Sequence, residues 1–470
     1  MGRLRRNRCI PLALTAGNMV FWLGFRTLNI SSNRAQFFSF VDCVWVQFPA
    51  FLMMGMTLVW TVYACTPAIT RRSRYECILE GGILFVLYQQ VYNLVLQRKV
   101  YTVSPLMEIS GICAGALLGE WLLTRKEAER PSLSEETRIS LNSISTFRSQ
   151  LMGIAMLGVM LVHTRTTLVR YILPLDVITC LGDSGVDVFL FISGIGMVFA
   201  LSKSTNVLRF YKRRMHRVFL EATPWIGLYS LMCVYLGKHG IRVLIANCLG
   251  VGFWVSKRGF NWYYSFILLL YLVTPIMYRL LRTKRRYVWT LAMIAASMAF
   301  LYVITDVFEA VRTQIAFSRF PVFLIGLLAG FWLKEGKTLS RGEYRSLFFL
   351  SGFFFLLAYA AKRFELDSVI ASQYFCYCVA APAACLPLSR LFSRLHGGVL
   401  MRFLSWTGEN SLMLYIWNVI VTREYSRIVP IEHMSNGQKY LVAFGMIVVN
   451  YLIVLLLWKV RKRIARRMAI

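Results

Sequence analysis

Apolar and polar positions along this chain are arranged in long blocks, not in the short alternations of a soluble fold. Ten mostly apolar runs, near 147–167, 176–201, 218–236, 261–281, 287–304, 318–333, 346–361, 369–388, 403–422 and 440–459, follow one another with brief polar breaks. Four more come earlier, near 9–25, 40–64, 77–96 and 104–123. Each is long enough, or nearly so, to cross the roughly 30 Å of a bilayer's hydrocarbon core at about 1.5 Å per residue. In hydrocarbon each segment has to satisfy its own backbone N–H and C=O groups, so the runs predict helices. The expected fold is an all-α integral membrane protein, a polytopic bundle of about 14 transmembrane helices in groups of four and ten. Between the groups, TRKEAERPSLSEETRISLNSIS (residues 124–145) brings charge, serine and Pro131, the composition of a linker. The expected organisation is an N-terminal four-helix membrane region (1–123), a cytoplasmic linker (124–146), a ten-helix membrane domain (147–460) and a basic cytoplasmic tail (461–470). The start, MGRLRRNRCIPLALTAGNMVFWLGF, is basic then apolar like a signal peptide but has no convincing small-x-small cleavage site, and it reads as a first membrane helix that stays.

Charge decides the orientation. The chain carries 53 Lys and Arg against 22 Asp and Glu, a formal net charge of +31. Such an excess could suit nucleic acid, but a nucleic-acid binder does not space its basic clusters between apolar runs of about 20 residues, so no nucleic-acid partner is expected and anionic lipid headgroups are the ordinary one. One run, IRVLIANCLGVGFW (241–254), is ambiguous in length. If it does not span, alternate loops hold 36 of the 53 basic residues; if it does, RTKRR (282–286) and KVRKRIARR (459–467) fall outside the cell, against the positive-inside tendency. It therefore reads as a re-entrant or interfacial segment, with both termini cytoplasmic. Eleven cysteines show no CxxC pair and no metal spacing with the five histidines; most lie in apolar runs, so neither a disulfide framework nor a metal site is expected.

Ionisable side chains inside apolar spans are costly and point to function by default. His163 closes the run LMGIAMLGVMLVH, and Asp183 and Asp187 open the next, GDSGVDVFLFISGIGMVFAL. An imidazole there could take a proton near neutral pH, or could be a helix-end histidine bonded to a neighbouring loop; the residues alone leave this even. Asp183, followed by Ser184, suits a helix cap; Asp187 could orient an imidazole through its N–H, or could equally cap free N–H groups at a helix start. Gly182 and Gly185 would permit a tight turn or close backbone approach to a ligand. Lys212, Arg213, Arg214 and Arg217 form a basic run; Arg214 and Arg217 share a helix face and could grip phosphate with forked hydrogen bonds, or could simply set topology. Trp262, Tyr263 and Tyr264 could wall a pocket, though an interfacial aromatic belt is commoner.

Six stretches in order resemble the acyltransferase-3 family of integral membrane O-acyltransferases: LMGIAMLGVMLVH, GVDVFLFISG, Arg214-x-x-Arg217, NWYYSFILLLYLVTP, SRFPVFLIGLLAG and GENSLMLYIWN. The resemblance covers residues 147–460. It implies transfer of an acetyl or other short acyl group from acyl-coenzyme A to a hydroxyl of a surface polysaccharide or related envelope molecule, in a multi-pass protein of a cell membrane, the bacterial cytoplasmic membrane being favoured. His163 would be the catalytic base and Asp187 its partner. Arg148, Arg213, Arg214 and Arg217 would hold the coenzyme A donor, and Trp262, Tyr263, Arg319, Tyr415 and Asn418 the acceptor. No metal is implied. Two departures stand out: Met152 replaces an arginine that the family often places eleven residues before the histidine, with Arg148 one helical turn earlier, and Asn418 replaces the histidine that often closes the last motif. Readings of a different class are a transporter or flippase for a glycan or lipid-linked intermediate, and a non-catalytic membrane scaffold or sensor.

Overall fold

The computed structural model describes residues 16–17, 51–59, 80–84, 111–119, 138–167, 175–203, 206–256, 261–304, 313–363, 372–395, 397–428 and 433–468. The four early runs are helical at 16–17, 51–59, 80–84 and 111–119; their remainder, and the linker up to residue 137, lie outside the described residues. Contacts divide the chain into two compact units, Met1–Ser140 with Thr338–Ala380, and Leu141–Lys337 with Ala381–Ile470. The first unit contains the two strands seen among the described residues, β1 (Ile139–Ser140) and β2 (Thr338–Leu339), paired antiparallel with Ile139 opposite Leu339.

Helices make up nearly all the rest of the described residues. Besides the short helices Asn142–Thr146, Leu175–Cys180 and Gln314–Phe317, they include α1 (Arg148–Thr167), α2 (Gly185–Ser202), α3 (Val207–Tyr235), α4 (Ile241–Cys248), α5 (Gly252–Val255), α6 (Trp262–Leu281), α7 (Arg286–Tyr302), α8 (Phe320–Lys334), α9 (Arg341–Arg363), α10 (Ser372–Arg394), α11 (Val399–Glu409), α12 (Ser411–Ile428) and α13 (Asn436–Met468). Six described stretches are long and apolar enough to cross a membrane: Gly182–Ser202, Val207–Tyr235, Trp262–Leu281, Gln314–Lys334, Cys376–Arg394 and Asn436–Val460. The protein is an all-α, multi-pass membrane protein.

One element differs from the sequence pattern, and another resolves an ambiguity in it. The third run of the second group begins at Val207, eleven residues before its apolar part, because the side chain of Asn206 accepts a hydrogen bond from the Arg209 N–H at 2.9 Å and starts the helix ahead of the basic run. The ambiguous segment 241–254 is two short helices, α4 and α5, broken where Gly250 takes a φ of +75°. Eight residues rise only about 12 Å, well short of the hydrocarbon core.

The second unit is built around α1, α2 and α8. Both α2 and α8 are largely apolar and mostly buried, as a helix surrounded by other helices should be. In lipid there is no hydrophobic drive between helices, so close backbone approach supplies the packing. A Cβ at Gly194 of α2 would lie 2.6 Å from the Phe323 carbonyl oxygen, and one at Gly326 of α8 would strike the Phe191 backbone. Only glycine fits at this crossing, which holds the starts of α2 and α8 beside each other.

Candidate active site

The start of α2 is pressed onto α1. A Cβ at Gly182 would collide with the Gly158 carbonyl and one at Gly185 with that of Ala155, so these glycines serve helix-to-helix contact within the protein, where the sequence allowed for approach to a ligand. The capping role expected of Asp183 is not seen either. The turn Gly182–Ser184 runs directly into α2, the Gly185 N–H is taken by backbone oxygens of Gly182 and Asp183, and the N-cap Ser184 makes no side-chain capping hydrogen bond.

Asp187, in the first turn of α2, is fully buried. Its partner is Arg319, the N-cap residue of α8, 1% exposed. Arg319 Nη1 donates to Asp187 Oδ2 at 2.5 Å and to the Asp183 carbonyl oxygen at 3.0 Å, while Nη2 lies 3.9 Å from the Asp183 carboxylate. One guanidinium thus joins the start of α8 to the start of α2. Among the described residues no hydrogen bond connects Asp187 to His163, so the orienting role expected of Asp187 is not what its contacts provide. The physical reason is the competitor: in a low dielectric, a full opposite charge is a stronger partner for a carboxylate than a neutral ring N–H.

His163, near the end of α1 and partly buried, is held instead from α12. Its Nδ1 lies 2.5 Å from the amide nitrogen of Asn418, a residue 1% exposed. Behind it, Asn450 of α13, equally buried, donates from Nδ2 to Asn418 Oδ1 at 3.4 Å and to the Met446 carbonyl oxygen at 3.2 Å. Three helices therefore converge on one polar chain, as buried amides require. Asn450 was missed from sequence; the available signal was a lone amide in the apolar run VAFGMIVVNYLIVLLLW.

The candidate acceptor residues gather on the Arg319 side. The Arg319 guanidinium sits 5.5 Å from the Trp262 ring centroid, in cation–π range. Trp262 meets Tyr263 edge-on at 6.0 Å, and Tyr263 meets Tyr415 at 5.3 Å and Phe189 at 6.1 Å. Tyr263, Tyr264 and Tyr415 are buried, so these rings face protein and do not form a lipid-facing belt. Tyr415 and Asn418 are three apart on α12 and share a face, which links the aromatic group to the His163 group. Asn261, immediately before Trp262, is buried with neither amide atom hydrogen-bonded, an unsatisfied group of the kind that marks a ligand contact; it too was missed.

The basic residues lie at the other end of α1. Arg148 and Arg217 are each within electrostatic range of Arg214, and all three are within range of the buried Tyr271. Arg214 Nη2 donates to the Gly196 carbonyl at 3.2 Å, which fixes it against α2, whereas Arg217 is largely exposed and pairs with Glu221 at 3.4 Å. Arg213 is exposed. Fifteen residues separate Arg148 from His163, about 22 Å of helix. The described residues contain no group of three or more His, Cys, Asp or Glu suited to a metal ion.

Residues 151–459 match the third acyltransferase family model, described as an acyltransferase domain. No curated protein and no solved structure matches the chain.

Proposed function

Since the chain belongs to the acyltransferase-3 family, we propose that it transfers an acetyl or other short acyl group from acyl-coenzyme A to a hydroxyl of a surface polysaccharide or related envelope molecule. The observation that carries this reading is the arrangement along α1. Three arginines suited to phosphate lie at one end, and a histidine held by a buried amide lies about 22 Å away, beside an arginine–aromatic group suited to a polyhydroxyl ligand. The charge split in the sequence supports fourteen crossings with both termini cytoplasmic, so the arginine end faces the cytoplasm, where acyl-coenzyme A is available.

In this reading Arg148, Arg214 and Arg217 hold the donor's phosphates while its extended arm carries the thioester toward His163. The acceptor hydroxyl attacks the thioester carbonyl carbon as its O–H proton passes to the imidazole. The tetrahedral intermediate then collapses, the C–S bond breaks, and the thiolate leaves with that proton, giving an ester and free coenzyme A. Trp262, Tyr263, Tyr415, Arg319 and the unsatisfied amide of Asn261 orient the acceptor. Asp187 acts through Arg319, keeping the guanidinium in place. Mass spectrometry of envelope glycans with the gene deleted and restored tests this. Loss of ester-linked acyl groups on deletion, with recovery on restoration, is expected. Unchanged acylation contradicts it, and loss of the whole glycan from the surface with acylation intact points to transport.

A further inference from the structure

An amide side chain can exchange its oxygen and nitrogen by a half-turn with no change of shape, so its orientation is fixed only by partners that cannot exchange roles. The chain behind His163 ends on such a partner. The Met446 carbonyl can only accept, and it lies 3.2 Å from the Asn450 amide nitrogen. Turning Asn450 over would set oxygen against oxygen there. With Asn450 so fixed, its second N–H faces the Asn418 atom at 3.4 Å, which has to be the oxygen. That leaves the Asn418 NH₂ directed at His163 Nδ1, 2.5 Å away, and an NH₂ group needs a lone pair to meet. Of the four combinations of amide orientation, this one alone sets no like atoms against each other.

We propose that Asn450 and Asn418 are positioning residues that hold the neutral His163 ring in the tautomer protonated at Nε2, with its lone pair on Nδ1. The inference deepens the acyl-transfer reading, on which its functional consequence rests. A hydroxyl that gives its proton to this ring gives it to Nδ1, on the side covered by Asn418, so the acceptor and the Asn418 amide compete for one lone pair. The departure from the family's usual histidine at 418 gains a physical meaning: an amide can donate and accept at once, and so passes the orientation set at Met446 on to the ring.

The test reads the ring, not the reaction. The full-length protein is labelled with ¹⁵N-histidine, reconstituted in lipid at alkaline pH, and the His163 resonances are identified by their loss in His163→Gln. In the parent protein Nε2 is expected to carry the proton and Nδ1 none. In Asn450→Ala, Asn418 can turn over and both tautomers are expected. In Asn418→Asp, whose carboxylate only accepts, the proton is expected on Nδ1; this reversal decides the matter if Asn450→Ala does not fold. A parent ring protonated at Nδ1, or a parent pattern unchanged in the variants, overturns the proposal. Because no acyl donor or acceptor is present, the result stands whether or not acyl transfer is the right reaction.

Discussion

Arg319 and Asp187 make the clearest statement at the scale of single residues. Each is almost wholly enclosed, and they form an ion pair across 132 positions of sequence. Removing one partner of such a pair leaves a buried, uncompensated charge and costs about 3–5 kcal/mol, whereas replacing both with apolar groups of similar size is often close to neutral. Asp187→Leu and Arg319→Met should therefore each lower the melting temperature of the detergent-solubilised protein strongly, and the double variant should recover most of the loss. Additive losses would mean that the two charges are not paired. The sequence marked Asp187 as costly in a membrane and the family resemblance marked Arg319 as an acceptor contact, but neither could pair them, because a pattern of apolar runs carries no information on which polar residues meet. It drew Asp187 toward His163 by analogy of site chemistry, and the stronger cation took that place. The same limit hid Asn450, whose only signal was being polar in an apolar run.

At the scale of elements the sequence was more legible, because the length of an apolar run is itself the quantity a bilayer selects. The runs beginning near 147, 261 and 287 correspond closely to α1, α6 and α7, while the run 440–459 is the middle of the longer α13, which continues to Met468 through what was expected to be the basic tail. What the runs could not show was helix that continues through polar residues. Lys and Arg are good helix formers, so the basic stretch before residue 218 is helical once Asn206 has started it. Nor could they show why glycines stand where they do. Gly326 faces the Phe191 backbone, so Gly326→Leu should force α2 and α8 apart, cost at least about 1–3 kcal/mol, and loosen the contact between Arg319 and Asp187. Thermal melting together with protease susceptibility at the start of α8 would register this. An unchanged melting profile would mean that the crossing tolerates a side chain and that the glycines are incidental.

In the molecule as a whole, Arg148 of α1 with Arg214 and Arg217 of α3 lies about 22 Å of helix from His163, so in the proposed reaction donor binding and proton transfer would be separate jobs at the two ends of α1. Loss of a general base typically costs 10²- to 10⁴-fold in rate, whereas loss of a packing histidine changes stability and leaves turnover per folded molecule nearly intact. Glutamine keeps much of the size and hydrogen bonding of histidine but cannot take the proton. The most direct measurement reconstitutes parent and His163→Gln proteins in sealed vesicles, with labelled acetyl-coenzyme A supplied on the face carrying Arg148, Arg214 and Arg217 and envelope glycan on the other. Equal amounts of folded protein are verified, and acyl ester on the glycan is counted. The parent should form ester and the variant should be slower by about 10²-fold or more. Transfer by His163→Gln near the parent rate, or no transfer by the parent when the donor is on that face, would contradict the account.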